Sequence, residues 1–157
     1  MLRSFRTLLL ALPLALGACG STATAPTIET ATFAPSLGVN LATSTRLSTG
    51  VYYRDVTVGT GAVVANGQLL QMRYAGFLTN GSSFDANAAP QTPFSFTIGS
   101  REVISGWDQG VVGMRVGGRR QLIIPPAFAY GSNALPGIPA NSILVFTVEV
   151  VGSNAPS

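Results

Sequence analysis

The chain has 157 residues, 46% hydrophobic and only 10% charged, with 18 glycines and 10 prolines; that allows one cored, turn-rich domain with flanking segments and excludes an all-helical fold. All nine basic residues are arginine; setting aside Arg3 and Arg6 at the start leaves seven against six acids, so no nucleic-acid partner is expected. There is no histidine, and Cys19 is the only cysteine, which excludes Ser/His/Asp and Cys/His catalysis, His-bearing zinc sites and intrachain disulfides; no cofactor or metal is expected.

Arg3 and Arg6 precede an apolar run over residues 8–16 that Pro13 interrupts, and Leu16-Gly17-Ala18 places small residues ahead of Cys19. The run is short for a bilayer span and reads as a signal peptide over residues 1–18. Leu16-Gly17-Ala18-Cys19 resembles a bacterial lipobox. That resemblance implies cleavage before Cys19, lipid on its thiol and a membrane-anchored, exported protein. Its place would be the bacterial cell envelope: periplasm or outer membrane in a Gram-negative cell, the outer face of the plasma membrane otherwise. An ordinary leader with a chance cysteine is the alternative.

Residues 19–47 begin with the attachment cysteine, are rich in Thr, Ala and Ser, contain Pro26 and Pro35, and carry only Glu29 and Arg46 as charges. This reads as a flexible tether. Ile28, Phe33 and Leu37 show no period, leaving casual contacts or a short docked strand open.

A domain is expected over residues 48–152, with a tail at 153–157. Leu70, Met72 and Tyr74 alternate with Gln71 and Arg73; Phe94, Phe96 and Ile98 alternate with Ser95 and Thr97; Leu144, Phe146, Val148 and Val150 mark a long final strand. A further strand is expected from Arg119 to Ile124, where Pro125-Pro126 stops it. Between them, Ser105 with Asp108 resembles a capping box, and Trp107, Val111 and Met114 share one helical face, ended by Gly117-Gly118. Gly106, Gly110 and Gly113 weaken this helix but let it lie close to a sheet. One short helix cannot cover a sheet on both sides. The reading is therefore an α+β fold whose antiparallel sheet curls around the helix and leaves its other face to solvent.

Aromatic residues concentrate at Tyr74, Phe84, Phe94, Phe96, Trp107, Phe128, Tyr130 and Phe146. By spacing alone they read as core. Their context points elsewhere: Arg73-Tyr74-Ala75-Gly76-Phe77-Leu78, Phe84-Asp85, Pro93-Phe94-Ser95-Phe96, Glu102-Val103-Ile104-Ser105-Gly106-Trp107, Ala127-Phe128-Ala129-Tyr130-Gly131 and Leu144-Val145-Phe146 succeed one another in the order and spacing of the FKBP family, which the chain resembles from about Leu47 to Gly152.

The resemblance implies a five- to six-stranded antiparallel sheet curled around one short helix, and a peptidyl-prolyl cis/trans isomerase acting on proline-containing polypeptides, probed by macrolide inhibitors of the FKBP class. It implies an apolar pocket with Trp107 as floor, Tyr74, Phe84, Phe94, Val103, Ile104 and Phe146 as walls, and Asp85 and Tyr130 at the rim. The Tyr130 hydroxyl and the Ile104 N–H are the implied donors to the peptide. Asp85 reads equally as a catalytic carboxylate or as a cap on its turn. Where many family members have an arginine between Phe84-Asp85 and Phe94, this chain has Ala88, Ala89 and Pro90, which removes the ion-pair partner of Asp85. The loop after Tyr130 carries Leu135 where some members have histidine and is a residue shorter; both departures bear on specificity.

The implied chemistry needs no nucleophile. Rotation about X–Pro faces a barrier of about 18–20 kcal/mol set by amide resonance, and water stabilises the charge separation of the planar state. An apolar cavity withdraws that stabilisation, and each 1.36 kcal/mol off the barrier gains tenfold in rate. Two other classes compete: a slow-turnover binding module, against which Trp107, Asp85 and Tyr130 are all present, and a paired-carboxylate hydrolase, for which Asp85, Glu102 and Asp108 have no supporting spacing.

Overall fold

The computed structural model describes residues 26–154; the leader and Cys19 lie outside the described residues. Alternation of apolar side chains produces strands where the sequence predicts them: β3 (Leu69–Leu78), β5 (Phe94–Thr97), β6 (Arg119–Ile124) and β7 (Leu144–Asn154). Three more strands carry weaker patterns, β1 (Thr45–Arg46), β2 (Tyr52–Thr57) and β4 (Ser83–Asn87). All pairings are antiparallel, in the order β1-β2-β6-β7-β3-β4, and β5 also pairs with β3. Both β4 and β5 run along β3, at Tyr74–Phe77 and Leu69–Met72 respectively, so they form one edge strand interrupted by residues 88–93. Counted that way the sheet has six strands.

The concave face of this sheet holds the main core. Leu70, Met72, Phe96, Leu122, Ile124, Leu144, Phe146, Val148 and Val150 are buried there against Trp107, Val111 and Met114. The helix α1 is shorter than its periodicity suggests, spanning Ser105–Gly110 with Val111 as its last cap, and Met114 comes after a turn at Gly113, whose φ is +80°. The capping box does not form. Ile104 is the N-cap; the Ser105 hydroxyl faces the Phe128 carbonyl at 3.5 Å, and the Asp108 carboxylate accepts from the Gly99 N–H at 2.8 Å. Asp108 thus pins the preceding loop to the helix.

Two glycines set how closely the helix approaches the sheet. A Cβ on Gly106 would fall 2.4 Å from Ile124 Cγ2, and one on Gly110 2.7 Å from Leu122 Cδ2, far inside contact distance. A buried arginine, Arg120, fixes the other end. Its guanidinium donates to both Asp55 carboxylate oxygens at 2.7 and 3.0 Å, to the Gly110 and Val112 carbonyls at 2.8 and 3.1 Å, and lies 4.1 Å over the Tyr53 ring. The carbonyls that end a short helix are thereby satisfied from the sheet.

The convex face departs from expectation. The stretch read as a flexible tether is packed on that face from Ile28 to Leu41 and then forms β1, so the face is not left to solvent. Ile28 is 2% exposed and clusters with Tyr52, Ile123, Ile143 and Val145, with Phe33, Leu37, Val39 and Leu41 beside them. The Ala34 N–H donates to the Thr79 carbonyl, Gln121 Nε2 to the Leu37 carbonyl, and Tyr52 Oη to Glu29. The scattered apolar residues show no period because the segment is two 3-10 turns, Pro35–Leu37 and Leu41–Thr43, joined by extended chain. Each apolar side chain meets the sheet separately.

Candidate active site

Between α1 and the concave face opens a cavity of about 440 Å³ lined by Tyr74, Phe84, Asp85, Phe94, Arg101, Glu102, Val103, Ile104, Trp107, Tyr130 and Phe146. All nine residues that the sequence assigns to the pocket stand in this lining, delivered by six separate segments. Phe96 and Phe128 do not: Phe96 is fully buried behind the pocket, stacked 5.9 Å from Phe94, and Phe128 packs on the core.

The indole of Trp107 lies on the helix side, 4% exposed, and aromatic rings stand on edge around it. Tyr74 and Phe146 lie at 5.1 and 5.3 Å with interplanar angles of 80° and 86°, and Phe94 at 6.3 Å and 80°. Such edge-to-face contacts add about 0.5–1.5 kcal/mol each beyond area burial, so the cavity is held open by rings that brace one another. Gly76 makes this possible on β3, since a Cβ there would come within 2.7 Å of both Phe146 and Phe84.

Polar groups are few and placed at the edge. Tyr74 Oη donates to Asp85 Oδ2 at 2.7 Å. Burial first, then this hydrogen bond and the negative charge of Asp85, push the Tyr74 hydroxyl up to about 12. Burial and Asp85 also push up Tyr130. Both phenols therefore keep their protons as donors at neutral pH. Among the described residues, the Ile104 N–H and the Tyr130 hydroxyl have no hydrogen-bond partner, and the buried Trp107 Nε1 has none either. An open donor pair beside an orphaned indole N–H is an arrangement a ligand's acceptors would satisfy.

Asp85 has no arginine partner among the described residues, in keeping with Ala88-Ala89-Pro90 in place of one; the only ion pairs there are Arg46–Glu29 and Arg120–Asp55. Tyr74 holds the carboxylate instead. Two lining residues, Arg101 and Glu102, escape the sequence reading. Arg101 takes a positive φ of 62°, and Glu102 accepts from the Ser100 hydroxyl at 2.6 Å; the turn that brings them to the rim has no periodicity to reveal it. No group of three or more His, Cys, Asp or Glu side chains that could hold a metal occurs among the described residues.

The arrangement excludes water from an apolar guest and offers it hydrogen bonds at the rim, where the carboxylates of Asp85 and Glu102 also stand in the lining. Fold and cleft together define a half-wrapped α+β domain built around an aromatic binding pocket. A family profile described as FKBP-type peptidyl-prolyl cis-trans isomerase matches residues 61–151, and the chain belongs to that family. It is 50% identical over 117 residues to FK506-binding protein 4 of Chaetomium thermophilum, covering 74% of this chain and 23% of that protein. It is 51% identical over 105 residues to a peptidyl-prolyl cis-trans isomerase of Saccharomyces cerevisiae, covering 67% and 25%. The chain thus spans about a quarter of the length of these curated relatives. Among solved structures, AtFKBP13 is 37% identical with a TM-score of 0.64, covering 71% of this chain and 98% of that one. FkpA from Escherichia coli is 36% identical with a TM-score of 0.66, covering 73% and 53%.

Proposed function

We propose that this protein is a peptidyl-prolyl cis/trans isomerase that accelerates X–Pro rotation in exported polypeptides and assists their folding, anchored to the bacterial cell envelope by lipid on Cys19. The observation that carries the enzymatic reading is the braced aromatic cavity over Trp107, bordered by two unpartnered donors. A prolyl ring seated on the indole places its amide among Tyr74, Phe94 and Phe146, where water no longer stabilises the planar, charge-separated state. The Ile104 N–H and Tyr130 hydroxyl hold the flanking peptide carbonyls so that one side of the bond stays fixed while the other turns. Asp85, tied by Tyr74, contributes a fixed negative charge at the rim. Tyr74, Phe84, Asp85, Phe94, Val103, Ile104, Trp107, Tyr130 and Phe146 are the residues assigned to catalysis and substrate holding.

The deciding experiment measures isomerisation of a short X–Pro peptide with and without a macrolide of the FKBP class. Acceleration that the macrolide abolishes supports the assignment; a folded protein that accelerates nothing overturns it in favour of a binding module. The anchor is supported by the lipobox-like Leu16-Gly17-Ala18-Cys19 behind the apolar run. Its test is independent: Cys19→Ser is expected to leave the membrane fraction, and continued sedimentation with membranes overturns it.

A further inference from the structure

A free tether over residues 20–47 would let the domain roam roughly 100 Å from an anchored Cys19 when drawn out, at about 3.5 Å per residue. The structure removes most of that reach. Ile28 is buried beneath the convex face, and backbone or side-chain hydrogen bonds fasten Glu29, Ala34, Leu37 and Gly38 in turn to Tyr52, Thr79, Gln121 and Arg54. Only the seven residues Gly20–Pro26 remain between Cys19 and the docked chain. Seven residues span at most about 25 Å.

The docked end also lies at the cleft's end of the molecule. Pro26 sits in a groove with Leu78–Asn80 and with Pro139, Asn141, Ser142 and Ile143. That second group closes the loop that begins after Tyr130, a cleft residue, through the Asn141 N–H donating to the Gly131 carbonyl at 2.7 Å. The middle of the same loop passes the cleft wall, where a Cβ on Gly137 would lie 3.8 Å from Phe84 Cβ. One loop therefore shares a groove with Pro26 on one side and borders the cleft on the other. It carries no charge from Ser132 to Ser142 and exposes Leu135, so it can approach a bilayer without stripping water from an ion.

Resting on the lipid-anchor reading, we infer that the docked segment acts as a spacer that holds the cleft within about one domain diameter, roughly 35–40 Å, of the membrane, so that its substrates are prolines in polypeptide segments held at that same surface. Chains diffusing at a distance are poorer substrates for the anchored protein because they lack the effective concentration that a short tether confers.

The test uses the lipidated protein purified from membranes and reconstituted in vesicles of phosphatidylethanolamine and phosphatidylglycerol containing dansyl-labelled headgroups. It is compared with a variant carrying about 28 Gly/Ser residues inserted between Ser21 and Thr22. Trp107 is the sole tryptophan, so its energy transfer to the dansyl groups reports the distance of the cleft from the surface. Lengthening the tether is expected to reduce that transfer and to lower the rate toward an acylated, vesicle-bound X–Pro peptide about tenfold, in line with the −3/2 power of length, while the rate toward the same peptide free in solution stays unchanged. Equal transfer and equal vesicle-bound rates in the two proteins overturn the inference. Failure of either protein to float with vesicles overturns the anchor and the inference together, leaving the free-peptide rate as the separate measure of the isomerase. Flotation and a transfer change without any free-peptide rate would instead sustain the spacer and overturn the isomerase.

Discussion

The two faces of the sheet are both covered, yet by opposite means. On the concave side a six-residue helix and its loops lean over the strands but stop short of filling them, and the gap is propped by aromatic rings standing around Trp107. On the convex side the segment 27–46 lies flat, and Ile28, Ile123 and Val145 close up to within 2% of full burial. Where rings brace one another on edge a cavity is left; where mostly aliphatic side chains meet the sheet one by one the face closes. The open cavity belongs to the first and the docked N-terminal segment to the second, and substitutions on each face should separate accordingly.

The largest effect is expected where the two faces share a support. Arg120→Met leaves the Gly110 and Val112 carbonyls and the Asp55 carboxylate without their guanidinium, and breaking such a buried pair costs about 3–5 kcal/mol. Urea denaturation should read that loss, together with reduced turnover as the helix loosens over Trp107. If stability holds within about 1 kcal/mol, the arginine does not support the helix.

Ile28→Ala comes next, with about 2–4 kcal/mol lost for a fully buried aliphatic side chain. Because Ile28 touches only the convex face, kcat/KM toward a free peptide should be unchanged at temperatures below the lowered Tm. A parallel fall in kcat/KM would join the two faces and break the comparison.

Phe94→Ala inverts that pattern. Phe94 is 37% exposed and borders the cavity, so its loss should cost less stability than a core aromatic yet lower kcat/KM about tenfold, the equivalent of one 1.36 kcal/mol contact in the transition state. Wild-type turnover in the folded variant would remove Phe94 from the site.

The smallest change is Tyr74→Phe, which deletes the donor to Asp85 and should cost at most about 1 kcal/mol. It also carries a pH signature. The folded Tyr74 hydroxyl keeps its proton to about 12, above the ordinary value of 10; its stabilising contribution is thus present below pH 10 and fades as pH rises toward 12. Absorbance titration of phenolate should show one fewer high-titrating tyrosine in Tyr74→Phe than in the wild type, with Tyr52 and Tyr130 still raised.

Local signals made much of the fold legible in the sequence. The alternation at Leu70, Met72 and Tyr74 and the stop at Pro125-Pro126 fell on strands, with Arg119–Ile124 matching its expected bounds. The pocket residues were legible only as blocks in order, since by period alone an aromatic at strand spacing reads the same whether it faces a core or a cavity. The helix was read too long because Val111 and Met114 continue the apolar face although the helix stops at Gly110 and Gly113 turns the chain with positive φ. Nothing in Arg119-Arg120 says which of the two meets the carbonyls of a helix ten residues earlier.

The sequence by itself determined the four strongly alternating strands, the place of the short helix, and the order of aromatic blocks, because these arise from side-chain period and turn chemistry within a few residues. Tertiary structure alone decided that five distant segments converge on Trp107, that Arg101 stands at the rim, and that a Thr- and Ala-rich stretch with no period docks on the convex face. Those outcomes depend on burial against partners far away in the chain, and a short-range pattern carries no record of the surface it will meet.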